Sequence, residues 1–268
     1  MSGGREAEPA GLPDLAPVVA ELAHPLVFAT VSGAHLYGFP SADSDVDLRG
    51  VHVLPVSEMV GLRRPVQTVS RMWERDGVEM DLVTHDLAKF ARLLLRPNGY
   101  VLEQLLSPLV AHSTPAHADL IRHAPGLVTS RHAGHYQGFA STQWRLFAKT
   151  GQLKPLLYTF RVLLTGIHLM RTGRVVAHLP TLVELEDAPV YLPDLVAAKA
   201  DAEHVRLDQI DGSVPPDRFD ADIAALRSRL DAAQRDTHLP AAPAGEADIN
   251  DLIIRTRLAG AARYFERG

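Results

Sequence analysis

Asp45 and Asp47 stand two residues apart, at the start of the β-branched run VDLRGVHVL over 46–54. In a strand, positions i and i+2 face the same way, so these two carboxylates project together. Like charges that close repel and raise one another's pKa unless a cation lies between them. Mg²⁺ suits such a pair, because it takes hard oxygen ligands, usually a few carboxylates together with substrate phosphates. Just upstream lies a glycine loop, Gly33-Ala34-His35-Leu36-Tyr37-Gly38. Glycine lets backbone N–H groups come close to phosphate. A second pair of acids, Glu79 and Asp81, shares one face of VEMDLV. A two-metal phosphoryl transfer needs one more carboxylate, to hold the ion that activates the incoming hydroxyl. Asp81 sits between Met80 and Leu82, deeper in the apolar run than Glu79, and is the better candidate. A turn by itself would account for Asp43 and Ser44, since Ser and Asp hydrogen-bond to their own backbone. It leaves unexplained why Asp45 and Asp47 continue into the strand.

Elements that would position these residues are readable from periodicity. Residues 12–24 look like a short helix ended by Pro25, and PLVFATVSG reads as a buried strand entering the glycine loop. Residues 46–54, 65–73 and 78–84 read as further strands, the last two joined by a turn at Arg75-Asp76-Gly77. Residues 85–96 have helical spacing with Leu87, Phe90, Ala91 and Leu94 on one face. Pro97-Asn98-Gly99 breaks that helix, and 100–106 forms another. After residue 110 no strand is expected. Residues 131–149, 155–172, 192–207, 217–235 and 247–265 all read as helices, with breaks at Pro215-Pro216 and Leu239-Pro240. Strands in the first half and helices in the second give an α+β class with segregated elements. The expected division is a flexible lead-in over 1–11, a catalytic core over 12–110 and a helical domain over 111–268.

The composition is that of an ordinary globular chain: of 268 residues, 46% are hydrophobic and 22% charged. There is no cysteine, which removes disulfides, thiolate zinc sites and cysteine nucleophiles and fits a reducing cytoplasm. No apolar run is long enough to span a bilayer. The net charge of −5 gives no global sign of nucleic-acid binding. It hides a segregation, because no acid occurs from Leu120 to Val183. That stretch carries Arg122, Arg131, Arg145, Lys149, Lys154, Arg161, Arg171 and Arg174. A one-signed block of this kind either meets phosphate or finds its partners among acids elsewhere in the fold.

Taken together, the residues resemble the DNA polymerase β-type nucleotidyltransferase superfamily. Its signature is Gly-Ser, a short turn of helix, Gly, then Asp-x-Asp on the next strand and a later third acid. Here those are Gly33-Ala34, Gly38, Ser44-Asp45-Val46-Asp47 and Asp81. The stretches SDVDLRGVHV, HDLAKFARLLLRPNGYVLEQL and KPLLYTFRVLLTGIHLM further resemble one branch, the predicted nucleotidyltransferases of bacterial RNA-repair operons. The resemblance runs from about residue 27 to 170 with segments beyond. It implies a small mixed sheet bearing three carboxylates, packed by helices and followed by a mainly helical part.

The same resemblance implies a nucleoside triphosphate substrate and two Mg²⁺ ions, replaceable by Mn²⁺, on Asp45, Asp47 and Asp81. It places Gly33, Ala34, Gly38, Ser44 and Arg49 beside the nucleotide, Arg49 either on phosphate or paired with the carboxylates. Lys154, Tyr158 and Arg161 share a helix face at spacings of four and three, where they would supply charge to the leaving pyrophosphate. Asn98 and Glu103 also match the branch. The implied acceptor is an RNA 3′ end; a protein or small-molecule acceptor, or an NTP-binding module of weakened activity, are the alternatives.

One departure stands out. The superfamily has Ser where this chain has Ala34, so a hydroxyl that would meet the triphosphate is missing. Losing a hydrogen bond to a charged group costs about 1.5–3 kcal/mol. Ser32, on the other side of Gly33, is the residue placed to compensate. Further readings are Tyr37 and Trp144 for base stacking, His35 for phosphate, and Arg161 with His168 as a ribonuclease-like pair two helical turns apart.

Overall fold

The computed structural model describes residues 12–200, 205–210 and 214–265; the lead-in expected over 1–11 lies outside them. Strands β1 (Leu26–Val31), β2 (Val46–His52), β3 (Thr68–Arg75), β4 (Val78–Asp86) and β5 (Val110–Ser113) form one sheet in the order β3-β4-β2-β1-β5. β2 and β4 run parallel while the other neighbours are antiparallel, so the sheet is mixed. The α+β class follows from this sheet and the helices after it.

The alternation of side chains gives the sheet two faces. Ala29, Val31, Val46, Leu48, Met80 and Leu82 fill one face, covered by Leu15 and Val18 around helix α1 (Ala16–Ala20). The opposite face carries Phe28, Val51, Asp47, Arg49 and Asp81. Helices α2 (Gly33–Tyr37), α4 (Leu87–Leu94) and α5 (Gly99–Leu105) contribute to the larger core cluster on that side. Asp86 ends β4 and caps α4 by accepting from the Ala88 N–H at 3.0 Å.

The centre of the helical part is α8 (Leu153–Thr172), whose side chains are buried almost throughout. It packs against α7 (His132–Thr150), α9 (Leu179–Leu185), α10 (Leu192–Lys199) and α11 (Pro216–Asp236). A helix this enclosed must pair any charge it carries, because burying an unpaired charge is prohibitively costly. The short α3 (Val56–Met59), α6 (Pro115–Leu127) and α12 (Glu246–Phe265) complete the fold, α12 packing on α6, α3 and α4. No described helix is long and apolar enough to cross a membrane.

Several expectations are corrected. A strand does occur past residue 110: β5 pairs with β1, but its VAHS sequence is too short and too polar to show alternation. The helix expected over 12–24 is limited to Ala16–Ala20; beyond it His24 stacks on His52 with ring centroids 5.2 Å apart, which draws the chain onto the sheet. The helix expected over 192–207 ends at Lys199. Residues 201–204 lie outside the described residues, and Leu207 opens a single 3₁₀ turn. The edge strand begins at Thr68 rather than Pro65, as proline cannot donate to a ladder.

Candidate active site

β2 and β4 pair in a register that sets Asp47 opposite Asp81. Parallel pairing in register puts both carboxylates on the face away from Leu48 and Leu82. Asp45 immediately precedes β2. Arg49 lies two residues past Asp47 and therefore shares its face. Its Nη2 donates to Asp47 Oδ1 and, at 2.7 Å, to Asp81 Oδ2. Its Nη1 donates to the Asp81 carbonyl at 2.6 Å, and its Nε to the Tyr100 hydroxyl of α5 at 3.0 Å. Tyr100 was not legible as a site residue, since it is 51 residues away in sequence.

The electrostatics of Asp47 mark the crowding. Its carboxyl is pushed up to about 6, chiefly by burial; Arg49 and Lys154 oppose the rise, while Asp45 and Asp81 add to it. The structure thus brings Asp45, Asp47, Asp81, Arg49 and Lys154 into one electrostatic neighbourhood. Glu79 is exposed and faces Glu74 across the β3–β4 pair, one alternate position from Asp81.

Gly33 is needed where it stands. Its φ is +64°, and a Cβ there would lie 1.8 Å from Asp47 Oδ2. The Ser32 N–H also donates to the Asp47 carbonyl at 2.8 Å, so the glycine loop is fastened to the acidic strand. Gly38 closes α2 with φ +83°, against the His178 ring at the start of α9. Ala34 is 2% exposed within the main core cluster. The Ser32 hydroxyl is buried without a hydrogen-bond partner among the described residues.

Ser44 shapes the loop before Asp45. Its hydroxyl accepts from the Ser41 N–H at 2.9 Å and shares a 3.0 Å hydrogen bond with the Ser41 hydroxyl. Lys199, wholly buried at the end of α10, donates to Ser41 Oγ at 3.0 Å. Nothing in the local sequence marks Lys199, which reaches this loop across 158 residues. The loop and His35 wall a cleft of about 750 Å³, closed on its other side by Trp73, Glu74 and Glu79.

The face of α8 divides by depth. Lys154 is half-buried and acts on Asp47. Tyr158 packs edge-on against Tyr37 and Phe39, at 5.3 and 5.5 Å. Arg161 is 2% exposed; its Nη1 donates to Glu103 at 3.1 Å and its guanidinium lies 3.6 Å from the Tyr37 ring centroid. Arg161 is thus held beneath α2, and Tyr37 is occupied from below. His168 pairs with Glu186 at 3.1 Å, so Arg161 and His168 do not form one pair. Trp144 packs on Phe147 with centroids 5.2 Å apart. Asn98 precedes α5, with its side-chain oxygen buried and without a hydrogen-bond partner among the described residues.

The acid-free block finds acids from outside or from its edge: Arg161 with Glu103, Arg171 with Glu186, and Arg122 with Asp119. Among the described residues, no group of three or more histidine, aspartate or glutamate side chains is arranged so as to hold a metal ion. The donor chemistry nevertheless fits a hard divalent cation. Asp45 and Asp81 both act on Asp47, whose carboxyl is raised chiefly by burial, and a cationic group, Arg49, already bridges Asp47 and Asp81.

A mixed sheet bears these carboxylates beside a glycine turn and is backed by helices, the arrangement expected of the DNA polymerase β-like class. The chain belongs to the RNA repair pathway DNA polymerase beta family, whose sequence model matches residues 8–255. It is 31% identical over 153 residues to an uncharacterized protein of Methanocaldococcus jannaschii, covering 55% of this chain and 61% of that one. The chain therefore spans less than two thirds of that relative. A nucleotidyltransferase-like protein from Exiguobacterium sibiricum, of known crystal structure, aligns over 82% of this chain and 72% of its own, with 12% identity and a TM-score of 0.32.

Proposed function

We propose that the chain transfers a nucleoside monophosphate from an NTP to an acceptor hydroxyl, an RNA 3′ end, and releases pyrophosphate. The observation that carries this reading is the register of Asp47 on Asp81, with Gly33 pressed against Asp47. The acceptor oxygen forms a bond to the α-phosphorus and the bond to the β-phosphate oxygen breaks. Asp81 stands on the acceptor side to receive the hydroxyl proton. The α2 turn, opened by Gly33 and closed by Gly38, presents backbone N–H groups to the triphosphate. Lys154 supplies positive charge for the pyrophosphate that leaves. Mg²⁺, held by Asp45, Asp47 and Asp81, would neutralise the phosphate charge and favour the deprotonated acceptor.

The test is incubation with each labelled NTP, RNA and lysate in Mg²⁺, beside an Asp45→Ala/Asp47→Ala variant. Lengthened RNA from the wild type and none from a folded variant is the expected result. Label on protein or on a small molecule instead would replace the acceptor, and activity in the variant would sink the mechanism. Ala34 favours a second reading, an NTP-binding module without turnover. That reading predicts Mg²⁺-dependent nucleotide binding with no pyrophosphate release.

A further inference from the structure

We propose that the acceptor strand lies along the open edge of the site face, from Asp81 down β3 and β4 to α4. Lys89, Arg92, Arg63 and Arg64 take its phosphates there. This rests on the RNA-end transfer proposed above and adds where that RNA is held.

On β4, Asp81, Val83 and His85 alternate onto one face, opposite Met72, Ser70 and Thr68 of β3. Met72 is 67% exposed and Ser70 is exposed, so this strip of sheet is open to solvent. It begins at the carboxylates and runs about 13 Å, at about 3.3 Å per residue, to His85. α4 starts immediately beyond. There Lys89 Nζ donates to Thr68 Oγ1, and Arg92 Nη2 donates to Gln67 Oε1 at 2.8 Å. Both acceptors are neutral, so these bonds aim the two cations at the strip and leave their charge in place. Arg63 and Arg64 are exposed on the same connection, a few residues before Gln67.

Acids are missing where they would oppose this. None occurs between Glu58 and Glu74 or between Asp86 and Glu103. Asp86 itself is fully buried, and Arg257 of α12 binds both of its oxygens at 2.6 and 2.8 Å. The result is a strip with carboxylates at one end and, at the other, cations that pair with no acid among the described residues. A polyanion with a free terminal hydroxyl fits that polarity: its hydroxyl at Asp81, its phosphates a few nucleotides back on α4. The exposed α7 cations Arg145 and Lys149 are the rival surface.

The experiment titrates the full chain with fluorescently labelled single-stranded RNA at several salt concentrations and measures extension of the same RNA. Variants are Arg63→Glu/Arg64→Glu, Arg92→Glu and, as the rival, Arg145→Glu/Lys149→Glu. The track predicts at least tenfold weaker RNA binding for the first two, a flatter salt dependence by about 0.7 per lost phosphate contact, and unchanged NTP binding. If the wild type extends RNA and these variants bind and extend it equally well, the track is wrong and the RNA-end reading stands. Loss confined to the α7 variant overturns the track in favour of that surface. A wild type that neither binds nor extends RNA overturns the RNA-end reading and the track with it.

Discussion

Arg49 holds Asp81 twice, through Nη2 on the carboxylate at 2.7 Å and Nη1 on the backbone carbonyl at 2.6 Å. The same Nη2 reaches Asp47. A monovalent group thus already bridges the carboxylates that the proposed chemistry assigns to a divalent one. Its side chain is 9% exposed, and removing one partner of a buried ion pair costs about 3–5 kcal/mol. Arg49→Met should therefore lower stability by an amount of that order in chelator. Mg²⁺ should narrow the gap, because a bound cation relieves the same repulsion. Urea unfolding of both proteins with and without Mg²⁺ checks this. An equal gap in both conditions would show that arginine and cation do not act on the same carboxylates.

Gly33→Ala separates backbone strain from site geometry. A non-glycine residue in the left-handed region costs about 1–2 kcal/mol. The added Cβ would also lie 1.8 Å from Asp47 Oδ2, so the carboxylate must move. The variant should lose transfer by a hundredfold or more with only a modest loss of stability. Gly77→Ala is the control: its φ is +80°, yet a Cβ there meets nothing within 4 Å. It should carry the strain and keep full activity in the same assay.

How much of this was legible follows from the range of each interaction. The pairing of Asp45 with Asp47 came from strand alternation, and the choice of Asp81 over Glu79 from its place between Met80 and Leu82; both depend on the nearest residues alone. The glycine turn was legible for the same reason. Arg161 was misjudged in its surroundings: helical spacing places it with Lys154 and Tyr158, but only tertiary packing puts Glu103, 58 residues earlier, beneath it. Tyr100 on Arg49 and Lys199 on Ser41 are long-range in the same way. β5 was missed because four residues at a sheet edge are held by β1 rather than by their own pattern.

The Arg161–Glu103 pair yields a third prediction. Both side chains are 2% exposed, so Glu103→Met or Arg161→Met alone leaves a buried group uncompensated. Each should cost about 3–5 kcal/mol. Replacing both with methionine should cost less than the two single changes together, a coupling that denaturant unfolding of all four proteins measures. Because Arg161 spends its contacts on Glu103 and Tyr37, the double variant should bind NTP within threefold of the wild type. A much larger loss would put Arg161 on the nucleotide after all.

Asp47 predicts a pH dependence with a definite sign. Its carboxyl stands near 6 in the fold, above the ordinary 3.8, chiefly through burial. Below about pH 4 the group is protonated in both folded and unfolded chains and has no net effect. Between about pH 4 and 6 the unfolded chain gives up the proton and the folded chain keeps it, so stability falls as pH rises. The total loss, about two pH units at about 1.4 kcal/mol each, is on the order of 3 kcal/mol and complete above pH 6. Asp47→Asn stays neutral throughout. In chelator it should be more stable than the wild type at pH 7.5 and lose that advantage by pH 4, while supporting no transfer. Mg²⁺ opposes protonation, so it should stabilise the wild type more at pH 7.5 than at pH 5 and leave the variant nearly unmoved. Thermal unfolding of both proteins across this range, with chelator and with Mg²⁺, reads all of these terms. A wild type whose stability rises from pH 4 to 6 relative to Asp47→Asn would mean that Arg49 outweighs burial at this carboxylate.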